Sequence, residues 1–329
     1  MENPLVSVII PTYNRATLVR EAIHSVVNQS YKNFEILVVD DGSSDNTKGI
    51  VQDIAKKDLR IKYIWQKHSG TPAVTRNRGI KASIGDLIAF LDSDDIWFSK
   101  KLEKQIKAFQ RNPKMLVIAS NSVYFSKEKK IIPTILFLNE VKLSFRNILR
   151  MNPLSISDVL VKREIFDSIG YFNESIVKMV DYEFWLRLLS QKDSSILIIK
   201  DILSKIRLHD VQLTTNRSFL EKYKLWKDFF KNYINYDQTY IEQMLRLRII
   251  RHLFLKLETE ILEKKVSFLS IINHKHLNIK QRAVLIVEFL IEKFYKKKNV
   301  IFNLLVNFFH FYIIKYLKVR QIYNDPNMP

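Results

Sequence analysis

The 329-residue chain contains no cysteine. This absence excludes disulfide bridges, thiolate metal sites and cysteine nucleophiles, and it suits a protein of the reducing cytoplasm. Hydrophobic residues make up 47% of the chain and aromatic residues 12%. That composition supplies a substantial core and argues against wholesale disorder.

Glycine is scarce as well, with only six positions in the whole chain. They form neither a Gly-x-Gly-x-x-Gly nor a Gly-x-x-x-x-Gly-Lys-[Ser/Thr] pattern. Rossmann dehydrogenases and P-loop enzymes hold phosphates on such loops, so this chain must hold any phosphate differently. A sugar-nucleotide pyrophosphorylase is an alternative, but such an enzyme should have a glycine-rich phosphate loop near the N-terminus.

Long uninterrupted apolar runs are also missing. Leu5 to Ile10 is too short for a signal peptide or a membrane span, so we expect no secretion by the standard route. Val300 to Ile314 is more apolar, but Asn303, Asn307 and His310 form one polar stripe along it. This pattern predicts either an interfacial helix or a helix packed on the rest of the protein.

Positive charge is in excess: the formal net charge is +19, and residues from 211 onward contribute +11 of it. A solvated surface, an anionic membrane and nucleic acid are all compatible with this excess. A nucleic-acid-binding module without catalysis is a further alternative, but acidic clusters at the predicted strand ends would have no purpose beside a polyanion. The asymmetry predicts two regions, 1–213 and a basic helical region over 214–329.

Short apolar runs alternate with helical spacing in the first hundred residues. The predicted strands are 5–10, 34–39, 61–64 and 87–91, with helices at 16–29, around 50–54 and at 72–83. From about 114 to 210 the pattern is mixed and predicts short strands at 115–119, 157–161, 196–199 and 203–208, with a helix at 181–190. Strands that are apolar on both faces favour an α/β fold with a mostly parallel sheet. Polar clusters follow the first, second and fourth strands, so we expect them to converge at one sheet edge.

Asp92 and Asp94 follow the predicted strand 87–91 and lie two residues apart. In an extended chain such residues point the same way, so both can face one ligand. Carboxylate oxygens suit Mg²⁺ or Mn²⁺ bridging to phosphate, so one of the two can hold a ribose or share the cation while the other binds the cation directly. The alternative is an acidic turn in which Asp95 caps a helix starting near Phe98.

Four further residues are candidates, each with a plainer alternative. Asp41 can accept a hydrogen bond from a base or a ribose, or serve a turn. Arg76, chosen over Arg78, can pair with a phosphate or the acidic cluster, or form a surface salt bridge. Asp181 is a general base or an N-cap at a helix start, and His209 reaches the metal or diphosphate, or lies on the surface.

Five ordered motifs over about residues 5 to 210 resemble family-2 glycosyltransferases with the GT-A fold. They are Ser7–Arg15 (SVIIPTYNR), Val38–Asp45 (VVDDGSSD), Thr75–Gly79 (TRNRG), Phe90–Asp95 (FLDSDD) and Asp181–Arg187 (DYEFWLR). The resemblance implies a GT-A catalytic domain over 1–213, with a nucleotide-binding half (1–112) and an acceptor half (113–213). A helical C-terminal region would follow.

The resemblance also implies roles for individual residues. Pro11, Tyr13 and Asp41 would line the nucleoside pocket, and Asp181 would be the catalytic base. The expected nucleotide-sugar site comprises Pro11, Thr12, Tyr13, Asp41, Arg76, Asp92 and Ser93. The expected metal site, for Mn²⁺ or Mg²⁺, comprises Asp94, by resemblance, and His209.

The implied reaction is a single displacement with inversion, in which Asp181 takes the proton of an acceptor hydroxyl and the cation offsets charge on the leaving diphosphate. The Gln-x-x-Arg-Trp motif of processive synthases is missing, so we expect one transfer per encounter. We expect a nucleotide-sugar donor, most simply a UDP-sugar, and a glycan or lipid-linked acceptor in surface polysaccharide synthesis. We expect no nucleic-acid partner, and a cytoplasmic protein in peripheral contact with the anionic inner face of the plasma membrane.

Overall fold

The structure, a computed structural model, describes residues 3–125, 131–132, 137–150, 152–192, 194–208 and 230. The boundary expected at residue 213, almost all of the helical region 214–329 and the apolar stretch 300–314 lie outside these residues and stay predictions. Among the described residues, no helix is both long enough and apolar enough to cross a membrane.

Parallel strands form the N-terminal half of the sheet. They are β1 (Val6–Thr12), β2 (Phe34–Asp40), β3 (Ile61–Trp65) and β4 (Leu87–Phe90). The connecting helices are α1 (Ala16–Val27), α2 (Thr47–Ala55) and α3 (Pro72–Ala82). The strands pair in the order β3-β2-β1-β4, and every neighbouring pair is parallel. The parallel α/β architecture predicted for this half is confirmed.

Helices cover both faces of β1, which explains why its residues are apolar without alternation. Val8 shares a core cluster with Val19 of α1 on one face. Ile9 points to the other face, toward α3, where a Cβ added to Gly79 would lie 2.5 Å from Ile9 Cγ2. Glycine at this position therefore permits the close approach that holds α3 against the sheet.

The second half continues the same sheet with strands of both directions. They are β5 (Ile96–Trp97), β6 (Val117–Phe125), β7 (Ile131–Ile132), β8 (Val141–Leu143), β9 (Val159–Lys162) and β10 (Ile196–Arg207). The helices are α4 (Lys101–Arg111), α5 (Phe145–Arg150), α6 (Glu164–Ile169) and α7 (Val180–Leu189). The order continues β4-β9-β6-β10-β5, where β6 and β10 are parallel and the other new pairings are antiparallel.

Two strand predictions in this half are wrong. The separate strands expected at 196–199 and 203–208 form one strand, β10, whose register against β6 shifts on both sides of Ile202. This irregularity interrupts the hydrophobic alternation without ending the strand. The strand expected from Ser157 instead begins at Val159, after a 3₁₀ turn that carries Ser157.

The interpretation of Asp95 as a helix cap is also wrong. Helix α4 begins at Lys101 rather than near Phe98, because β5 first pairs with β10. Asp95 is buried, and its carboxylate accepts hydrogen bonds from Ser157 Oγ at 2.6 Å and from the Arg207 amide at 3.0 Å. Burial, followed by the charges of neighbouring carboxylates, raises the pKa of Asp95 well above its ordinary 3.8.

Candidate active site

The loops after β1, β2 and β4 meet at the carboxyl edge of the parallel strands and line a pocket of about 380 Å³. The N-terminal turns of α3 contribute a further wall. The structure places all seven residues expected to bind a nucleotide sugar in this lining: Pro11, Thr12, Tyr13, Asp41, Arg76, Asp92 and Ser93. The inferred convergence of distant polar clusters at one sheet edge is therefore present.

Asp40 and Asp41, adjacent in the chain, serve different purposes. Asp40 is fully buried, and its carboxylate accepts hydrogen bonds from the Ser43 amide at 2.8 Å and the Tyr63 hydroxyl at 2.6 Å. It therefore fixes the turn after β2. Asp41 instead lines the pocket, so the needs of the turn do not explain why a second aspartate is present.

Asp41 is held as a charged carboxylate by a ring of donors. Its Oδ1 accepts hydrogen bonds from Gln66 Nε2 at 2.6 Å, Ser69 Oγ at 2.8 Å and the Ser69 amide at 3.0 Å. Its Oδ2 accepts the Gly70 amide at 3.3 Å and faces His68 Nδ1 at 2.9 Å. Burial raises the pKa of Asp41, but the hydrogen bonds together lower it by more, so that the pKa lies below 3.8. The less crowded Oδ2 retains capacity to accept a ligand donor.

Tyr13 and His68 form an aromatic wall of the pocket. Their rings stack with centroids 4.2 Å apart and planes inclined by 20°. His68 was missed by the sequence analysis because it belongs to none of the five motifs. The signal was available, since His68 follows β3 as Asp41 follows β2, and parallel strand ends share one edge.

Arg76 forms an ion pair with the acidic loop after β4 and lies near enough to Asp181 to affect its pKa. Its Nη2 donates to Asp92 Oδ1 at 2.8 Å, whereas Arg78 is exposed and does not line the pocket. Burial raises the pKa of Asp181; Arg76 lowers it and Asp92 raises it, with a net increase above 3.8. Arg76, Asp92 and Asp181 therefore interact electrostatically, although Asp181 does not itself line the pocket.

Asp181 lies in the first turn of α7 and is not the N-cap, because that position is held by Met179. Met179 adopts a left-handed conformation with φ of 60° and makes no side-chain cap. Phe184 and Trp185 are completely buried and anchor the helix. Asp181 itself remains partly accessible to solvent. A desolvated but reachable carboxylate on an anchored helix has the properties of a general base.

Asp94, the expected metal ligand, forms an ion pair with Arg15 at 2.6 Å. The described residues contain no group of three or more acidic, histidine or cysteine side chains arranged for a metal. Mg²⁺ is commonly held by one or two carboxylates together with substrate phosphates and water. Asp92 and Asp94 therefore fit a divalent cation only in the company of a diphosphate. His209, the other expected ligand, lies outside the described residues.

Two polar atoms of the pocket residues are buried without a partner. Among the described residues, neither Thr12 Oγ1 nor Arg76 Nε has a hydrogen-bond partner. Thr12 is 3% exposed and Arg76 7%. Buried polar groups are nearly always paired, so an unpaired acceptor or donor in a pocket wall indicates a place for a ligand atom.

A parallel half with an acidic pocket at the strand edge, joined to a half of mixed strand direction, is the architecture of the GT-A fold. Comparison with solved structures agrees. The S. aureus TarS 1-349 structure in complex with UDP-GlcNAc has a TM-score of 0.58 and 21% identity, and the match covers 86% of this chain and 80% of that one. At this identity the likeness shows the fold.

The sequence comparisons define the family. Residues 7–170 match the profile of Glycosyl transferase family 2. An uncharacterized glycosyltransferase of Haemophilus influenzae is 34% identical over 217 residues, which cover 66% of this chain and 84% of that protein. Escherichia coli WfgD, a UDP-Glc:α-D-GlcNAc-diphosphoundecaprenol β-1,3-glucosyltransferase, is 32% identical over 235 residues, covering 70% and 89%. The chain belongs to glycosyl transferase family 2, which decides for the transferase over the pyrophosphorylase.

Proposed function

We propose that this chain is an inverting, cation-dependent glycosyltransferase that moves one sugar from a UDP-sugar to a hydroxyl of a glycan or lipid-linked acceptor. The observation that carries the proposal is the pair of unpartnered atoms, Thr12 Oγ1 and Arg76 Nε, in the wall of one pocket. A hydroxyl can donate or accept and a guanidinium only donates. Both suit a ligand that, like a nucleoside diphosphate, is rich in hydroxyls and anionic oxygens.

The uridine half of the donor is assigned to the side of the pocket that contains Asp41. Asp41 Oδ2 accepts the ring N–H of uracil, a role that its lowered pKa favours because the group stays ionised. The Tyr13 and His68 rings supply an aromatic surface for the base. The names of WfgD, which uses UDP-Glc, and of the TarS complex with UDP-GlcNAc support a UDP-sugar over other nucleotide sugars.

Asp181 is assigned as the general base. It removes the proton of the acceptor hydroxyl while that oxygen attacks the anomeric carbon, and the electron pair of the breaking C–O bond passes to the diphosphate. Attack on the face opposite the leaving group inverts the configuration. The raised pKa of Asp181 makes it a stronger base than an ordinary aspartate.

Mn²⁺ or Mg²⁺, when bound, offsets the charge that develops on the diphosphate. Asp92 and Asp94 would hold it, and His209 stays a candidate third ligand. Arg15 and Arg76, which already face these carboxylates, are positioned to hold phosphate oxygens.

The name of WfgD specifies a GlcNAc-diphosphoundecaprenol acceptor. By this likeness we assign a diphosphate-linked lipid, made in surface polysaccharide synthesis, as the acceptor class. Such an acceptor resides in a membrane, so peripheral contact with the anionic inner face of the plasma membrane belongs to the same proposal.

The test measures binding and turnover together. UDP at one hundred times its Kd, with Mn²⁺, should stabilise the fold by about 2.7 kcal/mol and raise Tm by about 5–10 °C. GDP and CDP at the same concentration should raise Tm by less. UDP-Glc or UDP-GlcNAc with a GlcNAc-diphospholipid should release UDP and yield a β-linked product. No shift with any nucleoside diphosphate, and no release of UDP, would refute the proposal. Flotation with anionic liposomes at physiological salt tests the membrane contact separately.

A further inference from the structure

The acidic loop, residues 92–95, lies where the ladder between β4 and β9 ends. The two strands pair antiparallel, with Ala89 opposite Leu160. The same register, continued by three residues, brings Ser157 opposite Asp92. Ser157 belongs to the 3₁₀ turn that precedes β9, so the turn meets the loop directly.

One hydroxyl group joins both ends of the acidic loop. Ser157 Oγ accepts the Asp92 amide at 3.1 Å and donates to Asp95 Oδ2 at 2.6 Å. The other oxygen of Asp95 accepts the Arg207 amide at 3.0 Å, and Arg207 Nε donates to the Asp94 carbonyl at 2.9 Å. The contacts of Ser157 and Arg207 therefore fix the backbone of the loop, while the Asp92 and Asp94 side chains form ion pairs with arginines of the pocket.

The turn that carries Ser157 is itself anchored from several directions. The Ser157 carbonyl accepts Trp97 Nε1 at 2.8 Å. The next carbonyl, of Asp158, accepts Lys101 Nζ at 2.9 Å and Gln105 Nε2 at 2.8 Å. Trp97, Lys101 and Gln105 are all buried. Because these contacts hold Ser157 in place, its hydroxyl can fix the position of the acidic loop.

We propose that Ser157 is a positioning residue for donor binding, whose hydroxyl sets the acidic loop so that Asp92 and Asp94 face the pocket. The inference rests on the proposed function of that pocket. Without the hydroxyl, the Asp92 amide and one oxygen of Asp95 lose their partner at a buried place, and the loop must move to regain one. Such a movement misplaces both carboxylates together, although Ser157 lies outside the pocket lining.

The chain offers a matched control in Ser204. Ser157 and Ser204 are both 0% exposed, and the Ser204 hydroxyl donates to the Ser157 carbonyl at 3.2 Å, not to the Ser157 hydroxyl that contacts the loop. Ser157→Ala and Ser204→Ala therefore remove the same atom at equal burial. With Mn²⁺ present, Ser157→Ala should raise the Kd for UDP about tenfold, or about 1.4 kcal/mol. Ser204→Ala should change it by less than about twofold.

A double-variant cycle separates positioning from general loss of stability. Asp95→Ala removes the same contact from its other side and should also raise the Kd for UDP about tenfold. The double variant with Ser157→Ala should bind UDP no more weakly than the weaker-binding single variant, because both substitutions remove one contact. Titrations run well below each Tm exclude unfolding. Should Ser157→Ala not fold, Asp95→Ala carries the test alone.

The outcomes distinguish this inference from the proposed function. If the unaltered chain does not bind UDP, both fail. If it binds UDP and the Kd of either Ser157→Ala or Asp95→Ala stays within twofold of its own, only the positioning role fails. Equal weakening by Ser204→Ala also refutes it, since general repacking then explains the loss.

Discussion

Asp181→Asn should make the protein inactive and, at the same time, more stable. The substitution keeps the size and shape of the side chain and removes its charge. Burial raises the pKa of Asp181 above 3.8, and the negative charge of Asp92 adds to this, although Arg76 opposes it. The carboxylate is therefore held in an environment that disfavours its ionised form.

The sign of the stability effect follows from proton linkage. Between 3.8 and the raised pKa, the folded state binds more protons than the unfolded state, so the free energy of unfolding falls as pH rises through that window. At neutral pH the ionised Asp181 therefore destabilises the folded state. Asn removes this cost, so Tm at neutral pH should rise. Below pH 3.8 the gain should vanish.

The kinetic effect has the opposite sign. Loss of a general base lowers turnover by about 10²- to 10⁴-fold, whereas Asp181 is not expected to hold the nucleotide, so the Kd for UDP should change by less than about threefold. Turnover is measured as UDP release, affinity by calorimetry and Tm by scanning at pH 7.5 and at low pH.

Glu183→Gln is the matched control on the same helix. Glu183 is buried but paired, with Arg187 Nε at 2.7 Å from its Oε1 and Arg187 Nη2 at 3.0 Å from its Oε2. Neutralising it should therefore destabilise the protein, by about 1–3 kcal/mol. A lower Tm for Asp181→Asn at neutral pH would refute the electrostatic argument, and near-normal turnover would refute the assignment of the base.

Three further perturbations test other parts of the structure. Thr12→Val should raise the Kd for UDP about 2- to 10-fold without lowering Tm, because the buried hydroxyl it removes is unpaired; an unchanged Kd contradicts its role. Gly79→Ala should destabilise by about 1–3 kcal/mol, since the new Cβ would lie 2.5 Å from Ile9 Cγ2; an unchanged Tm contradicts the close packing of α3. Turnover of the unaltered enzyme should fall as pH drops through the raised pKa of Asp181, and an acid limb at an ordinary aspartate value would contradict it.

The parallel, N-terminal half of the sheet was predictable because its signals are local. Each strand of this half is one apolar run followed by a polar cluster, and parallel strands bring such clusters to the same edge. Asp41, Asp92 and Arg76 were placed in one pocket by this reasoning. Asp181 was placed by helical periodicity, since the buried Phe184 and Trp185 fix which end of the helix carries it.

The second half was less predictable because its contacts join distant residues. No pattern near Ser157 in the sequence indicates that its hydroxyl forms hydrogen bonds with Asp92 and Asp95, more than sixty residues earlier. The buried Asp95 likewise contacts a residue distant in the sequence, because its carboxylate accepts the Arg207 amide. The roles of His209 and of the basic helical region stay predictions.

The charges of the pocket predict that the nucleotide and the cation bind cooperatively. Asp92 and Asp94 are already neutralised by Arg76 and Arg15. An entering diphosphate competes for both arginines and exposes the two carboxylates, whereas a cation alone must displace the arginines. Together, cation and diphosphate satisfy all four groups. Mn²⁺ should therefore tighten UDP, and UDP should tighten Mn²⁺ by the same factor, about 5- to 150-fold for a typical coupling. Equal Kd values for UDP in Mn²⁺ and in chelator would show that the carboxylates hold no cation.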